Sequence, residues 1–153
     1  MQERKDLWSI GQWMTPNPET IPPDMSVRSA FFKMRLDGYR HLLVEEEGRL
    51  VGILSDRDLR RPDISNEPDG WNDFYNLDDD YEVRYVMTRE VKTVTPQDTL
   101  EKALKMMTEH KFNALPVLDK TGKTIGIISS HDLLHAFLKA LDDAGDFLRN
   151  KKR

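Results

Sequence analysis

Gly52-Ile53-Leu54-Ser55-Asp56-Arg57-Asp58 recurs as Gly126-Ile127-Ile128-Ser129-Ser130-His131-Asp132. In each copy an apolar run ends at a serine, and an amphipathic run opens just after it, from Leu59 and from Leu133. Both read as a strand running directly into a helix N-terminus. The serine hydroxyl and first-turn amides of such a junction face one point, with the positive end of the helix dipole behind them. That point suits a phosphate. The aspartate three residues on sits in the first turn, within reach of a ribose diol. Ser-x-x-Asp is also a variant of the helix capping box, and one junction alone does not separate the two readings.

The duplication extends well beyond these stretches. A shift of 73 residues carries Met14-Thr15 onto Met87-Thr88, Thr20 onto Thr93, Ile21 onto Val94, Ala30 onto Ala103, Met34 onto Met107 and Leu42 onto Leu115. One residue is gained between the turns Glu46-Glu47-Gly48 and Lys120-Thr121-Gly122, after which the shift is 74. A repeat of this period decides the fold. Each copy reads as strand, helix, strand, turn, strand, helix.

In the second copy Val91-Lys92-Thr93-Val94 is a short strand. Asp98 with Glu101 starts a helix of the capping-box type, and Leu100, Ala103, Leu104 and Met107 form its buried stripe. Ala114 to Leu118 is a strand whose Pro116 points to an edge position or an end of pairing, and Thr124 to Ile128 is the return strand. In the first copy Val27, Ala30, Phe31 and Met34 are the stripe. Pro62 to Glu82 is acidic, contains no Lys or Arg, and holds Trp71, Phe74 and Tyr75. The aromatics suggest that it packs back on the body, and its Asp triplet reads as a solvated loop rather than a cation site. Leu133 to Leu148 reads as a long amphipathic helix whose surplus apolar face suggests a subunit contact. Trp8 and Trp13, ahead of the first copy, are expected to pack on the helices. The domain boundaries expected are 1–61 (N-terminal segment and first repeat), 62–82 (acidic insert), 83–141 (second repeat) and 142–153 (helix end and basic tail).

The chain has 153 residues, enough for a real core. With 38% apolar and 33% charged residues it reads as globular with a charged surface. A net charge of −4 argues against a general nucleic-acid binder. The absence of cysteine excludes disulfides and thiol catalysis. The charged start leads into no apolar h-region and no run approaches membrane-spanning length, so a cytoplasmic protein without a membrane partner is expected. His131 and His135 sit at the i, i+4 spacing of a zinc pair, but the zincin glutamate is absent and no third ligand is signalled. No nucleophile elbow or phosphate-loop spacing occurs.

The ordered signals in both copies resemble a tandem pair of CBS (cystathionine-β-synthase) domains. These signals are the Met-Thr opening, the Thr-hydrophobe loop ending in Pro, the strand ending in Leu-Val or Pro-Val, and the Gly-hydrophobe-hydrophobe-Ser-x-x-Asp element. The resemblance runs from about Ile10 to Leu141 without the acidic insert. It implies an α+β fold of two βαββα repeats related by pseudo-twofold symmetry, sheets packed together and helices outside. It also implies a ligand-sensing module for adenosine-containing molecules (AMP, ADP, ATP or S-adenosylmethionine), with no catalysis and no resident cofactor.

Each binding cleft of this family crosses the repeats. Carried over, one cleft resembles Ser55 and Asp58 with Thr93, Val94, Phe112 and Asn113. Ser55 would meet phosphate and Asp58 the ribose, the backbone near Thr93 and Asn113 would meet the adenine edge, and Val94 would pack on its face. The other resembles Ser129 and Asp132 with Thr20, Ile21, Tyr39 and Arg40. His41 and Arg57 flank the first cleft where the second has Ala114 and His131. Arginine forks onto phosphate oxygens and keeps its charge, whereas histidine is only partly charged near neutrality. The first cleft is therefore expected to suit phosphorylated ligands better, with His41 and Arg57 as ordinary solvated surface the alternative. The functional expectation is a homodimer signalling to an effector protein in trans; the alternative is a structural dimerisation or partner-binding protein whose clefts stay empty.

Overall fold

A computed structural model describes residues 8–60 and 81–150, and the side chains of Arg60 and of residues 146–150 fall outside it. Most of the acidic insert, with Trp71, Phe74 and Tyr75, lies outside the described residues, as do the Phe147 side chain and the last three residues of the tail. The described residues form an α+β fold with two three-stranded sheets and four α-helices. In chain order the elements are α1 (Ile10–Trp13), β1 (Thr15–Pro16), β2 (Thr20–Ile21), α2 (Val27–Asp37), β3 (His41–Glu46) and β4 (Arg49–Ser55). They continue with α3 (Leu100–His110), β5 (Ala114–Leu118), β6 (Thr124–Ser129) and α4 (Ser130–Asn150). Short 3-10 turns cover Asp58–Arg60 and Val83–Tyr85.

The chain divides into two compact units that do not follow chain order. One takes Pro18–Val91 with Gly122–Thr124; the other takes Met1–Asn17, Lys92–Thr121 and Ile125–Arg153. The Met-Thr openings are the reason. Met14-Thr15 stands ahead of the first repeat, yet β1 pairs antiparallel with β6, Thr15 opposite Ile127. Met87-Thr88 stands ahead of the second, yet Thr88 and Ile53 exchange two backbone hydrogen bonds of 2.9 and 3.0 Å. Tyr81 and Glu82, read above as the end of the insert, belong to the first unit. The Tyr81 carbonyl accepts from Val27 N–H at 2.7 Å, and Glu82 bridges Ser26.

The glycine of each repeated stretch makes this crossing possible. A Cβ on Gly126 would stand 2.5 Å from Met14 Sδ and 3.2 Å from the Thr15 carbonyl oxygen. A Cβ on Gly52 would collide with Met87 Sδ and stand 3.2 Å from the Thr88 carbonyl oxygen. In both units the methionine of the Met-Thr opening fills the space a side chain would take.

Each unit packs its sheet against its own helices. In the first, Val27, Ala30 and Met34 of α2 meet Ile21, Leu42, Val44, Leu54, Leu59, Val83 and Met87, with Phe31 partly buried at the margin. In the second, Leu100, Ala103 and Met107 of α3 meet Ile10, Val94, Leu115, Val117, Ile128 and Ala136, with Trp13 partly buried beside them. Leu104, expected in the stripe, is 52% exposed, which narrows the face to the a/d-like positions. Trp8 is likewise exposed. Helix α3 starts at Leu100 with Thr99 as its cap, accepting from Lys102 N–H. Asp98 instead closes the preceding turn by accepting from Thr95 N–H at 2.8 Å and pairs with Lys102.

The expected strand at 91–94 reduces to a single bridge between Val94 and Val117, and Pro116 explains it. Val94 N–H donates to the Pro116 carbonyl and Val94 C=O accepts from Leu118. The next bond of a parallel ladder would run from the amide of residue 116 to the carbonyl of Lys92, and proline has no such amide. In the first repeat the counterpart of Pro116 is Leu43, and its N–H does donate to the Glu19 carbonyl at 3.1 Å. There the pairing extends to a true two-residue strand, β2 on β3. In its three-stranded sheet β5 is the outermost strand, with only the Val94 bridge beyond it, so Pro116 marks an end of pairing.

Candidate functional site

The repeated Ser-x-x-Asp elements fold identically. Asp58 Oδ2 accepts from both Ser55 N–H and Ser55 Oγ–H at 2.8 Å, and Ser55 Oγ accepts in return from Asp58 N–H at 3.2 Å. Asp132 and Ser129 make the same three bonds at 2.7, 2.8 and 3.2 Å. Each is a reciprocal cap. A fourth bond fixes the turn from behind. The Arg40 carbonyl accepts from Asp56 N–H at 3.0 Å, and the Asn113 carbonyl accepts from Ser130 N–H at 2.9 Å. Nothing in the sequence signals this tie, which joins the residue ahead of a strand to the residue after the serine.

These bonds change what the turn can offer a ligand. The Ser55 hydroxyl proton and the amides of Ser55, Asp56 and Asp58 are all engaged, so they do not converge on a free point as expected. Among the described residues, the Arg57 amide is the one backbone amide of residues 55–58 without a partner. Oδ1 of Asp58, and likewise Oδ1 of Asp132, takes no hydrogen bond among them either. The junction therefore presents one amide, one carboxylate oxygen and the side chain at position 57 or 131, both of them exposed. After Ser55 the chain makes a 3-10 turn at Asp58–Arg60, whereas after Ser129 it runs straight into α4.

The other predicted residues separate into two kinds. Thr20, Tyr39 and Arg40 in the first unit and Asn113 in the second are exposed, with Thr93 and Phe112 partly so. Phe112 stacks on His110 at 5.7 Å between centroids, and Lys33 Nζ stands 6.0 Å from the Tyr39 ring centroid. Ile21 and Val94 are different: both are 2% exposed and sit in the core clusters. Val94 also has both backbone groups in its bridge to β5. Neither side chain is placed to pack on an adenine ring; the adjacent Thr20 and Thr93 are the accessible members of each loop.

In the first unit His41, Arg40, Ser55, Asp56 and Asp58 come together, with His41 opposite Ser55 in the β3–β4 register. Burial pushes the His41 imidazole below its ordinary value. Asp56 and Asp58 oppose the shift and Arg40 adds to it. His41 is therefore neutral at neutral pH and does not supply the positive charge expected of it. The cations left at this junction are Arg40 and the exposed Arg57. A cavity of about 210 Å³ in this unit is lined by Phe31, Met34, Arg35, Tyr39, Arg40 and Asp56 among others, and Arg57 is not part of its lining.

The lowered His41 value carries a stability prediction. Between its folded value and the ordinary 6.5 or so, the unfolded chain binds more protons than the folded one. The stabilisation from keeping His41 neutral is thus fully present above about pH 6.5 and is lost as pH falls toward the folded value. Denaturation midpoints followed from pH 7.5 to 5 should fall more steeply for the native chain than for His41→Gln. Parallel profiles would show that His41 is not held neutral.

The model of the CBS domain family matches residues 10–63 and 83–139. A CBS domain-containing protein of Dictyostelium discoideum is 30% identical over 135 residues, covering 87% of this chain and 93% of that one. Inosine-5'-monophosphate dehydrogenase of Aquifex aeolicus is 32% identical over 127 residues, but the match takes in only 23% of that enzyme. Among solved structures, the CBS-pair protein CBSX2 of Arabidopsis thaliana superposes with a TM-score of 0.77 at 28% identity, over 88% of this chain and 97% of that one. Its complex with AMP superposes with a TM-score of 0.70 at 30% identity, over 87% and 98%. Among the described residues no helix is long and apolar enough to cross a membrane.

Proposed function

The chain belongs to the CBS domain family, and from that premise we propose that it is a non-catalytic regulatory module that senses an adenosine-containing ligand. The observation that carries the reading is the cap built twice with the same three bonds, each time leaving one carboxylate oxygen without a partner among the described residues. A helix cap needs only the first carboxylate oxygen. The second is the acceptor a ribose diol requires, and the AMP complex of CBSX2 places such a ligand in a related fold. In this proposal Asp58 and Asp132 hold ribose hydroxyls through Oδ1. Phosphate is met by the Arg57 guanidinium and amide rather than by the Ser55 hydroxyl. Thr93, Phe112 and Asn113 of one unit, and Thr20, Tyr39 and Arg40 of the other, are the candidates for the base-binding edges. The expected ligand is AMP, ADP or ATP, with S-adenosylmethionine behind them.

The module acts in trans, as a cytoplasmic homodimer or with an effector. What supports this is α4, whose Leu134, Phe137, Leu138 and Leu141 are all more than half exposed along one stripe. A run of four large apolar residues at i, i+3, i+4 and i+7 is the face a helix keeps for a partner. A second reading has its own observation. The caps satisfy themselves without a ligand, as they would in a structural pairing module whose clefts stay empty.

Calorimetric titration of the native chain and of Arg57→Ala with adenosine, AMP and ATP separates the two. The native chain should prefer the nucleotides over adenosine, and that margin should narrow with added salt, because exposed charges are screened within about 8 Å at physiological ionic strength. Arg57→Ala should lose most of the margin and keep adenosine binding. Neither protein binding any of the three would leave the structural reading.

A further inference from the structure

Helix α4 carries a second feature that the nucleotide reading does not use. His131 and His135, one turn apart and both exposed, place their Nε2 atoms 3.0 Å from each other, with ring centroids 4.5 Å apart and planes at 73°. The duplication does not produce this pair: the first repeat has Arg57 and Arg61 at the corresponding positions. It is a property of the second repeat alone.

Two facing imidazole nitrogens can hold one proton between them or one metal ion. With metal–nitrogen bonds of about 2.0–2.1 Å, nitrogens 3.0 Å apart subtend about 95° at a shared metal. A tetrahedral ion would need them at about 3.3–3.4 Å. The observed separation matches the cis positions of a square-planar or octahedral ion, the geometry of Cu(II) and Ni(II) with imidazole ligands. The helix supplies the arrangement at no further cost, since residues i and i+4 share a face one above the other. Among the described residues no group of three or more potential ligands gathers anywhere, so the remaining positions on the metal would be water.

We propose that His131 and His135 form a bidentate site for a divalent transition metal, Cu(II) or Ni(II), on the exposed first turns of α4. A hydrogen bond between the two Nε2 atoms needs a proton on one of them. For both Nε2 lone pairs to reach the metal that ring must carry its proton on Nδ1, by exchange with solvent, and the metal gives up two waters.

The test is titration of the full-length chain with Ni(II), and Cu(II) electron paramagnetic resonance on the same protein. The native chain should bind one equivalent, and the copper spectrum should show hyperfine coupling to two nitrogens. His135→Gln should weaken Ni(II) binding by at least about tenfold, because the second bond of a chelate forms at high effective concentration, and should reduce the coupling to one nitrogen. His110→Gln should leave both unchanged. The proposal is overturned by no binding at millimolar Ni(II), by a single-nitrogen spectrum in the native chain, or by unchanged affinity in the His131→Gln/His135→Gln double variant. The last would locate the ion elsewhere on the chain. All these histidines except His41 are exposed, so the variants are expected to fold, and circular dichroism of each confirms it before titration.

Discussion

Gly126→Ala should lower the unfolding free energy by about 1–3 kcal/mol, the usual range for overpacking a filled site. The new methyl would stand 2.5 Å from Met14 Sδ and 3.2 Å from both Met14 Cγ and the Thr15 carbonyl. The thioether can yield, since methionine has three rotatable bonds. The carbonyl cannot yield without disturbing the Thr15–Ile127 pairing that ties the N-terminal segment to β6. Met14→Ala should therefore relieve part of the damage and not all of it. In a denaturation double-mutant cycle the two substitutions should couple with a favourable sign, whereas substitutions at distant sites add within a few tenths of a kcal/mol. Simple additivity would mean that Met14 does not occupy the space over Gly126. Gly52→Ala with Met87→Ala is the same experiment in the other unit and should give the same pattern.

Asp58→Ala and Asp132→Ala should each cost about 1.5–3 kcal/mol of stability, the range for hydrogen bonds to a charged group. Each carboxylate holds a serine amide and a serine hydroxyl at nearly the same distances, so the two losses should match. Ligand affinity should not match. Arg57 stands beside Asp58, while its counterpart beside Asp132 is His131, so Asp58→Ala should lose more nucleotide affinity than Asp132→Ala. Calorimetry at a temperature where both variants remain folded decides this. Equal affinity losses would refute the ranking and return these aspartates to capping alone.

The features legible in the sequence are those with a local or periodic cause. The 73-residue shift, the buried stripe at Val27, Ala30 and Met34, the hairpin turn at Glu47-Gly48 and the edge position of Pro116 all follow from residue spacing or from a single residue's chemistry. The exchange of Met-Thr openings between repeats was not legible. Both openings carry the same two residues, and their choice of strand depends on which glycine each methionine covers. The pairing of Ser55 and Ser129 with their aspartates was legible only as one of two alternatives. Hydrogen-bond geometry then showed that the serine hydroxyl is spent and that Oδ1 and the Arg57 amide are what remain. The burial of Val94 and Ile21 was not legible, because an apolar residue next to a threonine in a loop gives no sign of which side it turns to the core. The charge assigned to His41 failed for a related reason: burial is a tertiary property, and it decides whether an imidazole is protonated.

If this chain binds an adenosine-containing ligand, its thermal unfolding must respond to that ligand. At about a hundredfold excess over the dissociation constant, a ligand that binds only the folded state should add roughly 2–3 kcal/mol, or about 5–10 °C in the midpoint of a chain this size. Such a rise is expected with at least one of AMP, ADP, ATP and S-adenosylmethionine, and none with inorganic phosphate. An unchanged midpoint with all four at millimolar concentration would contradict it.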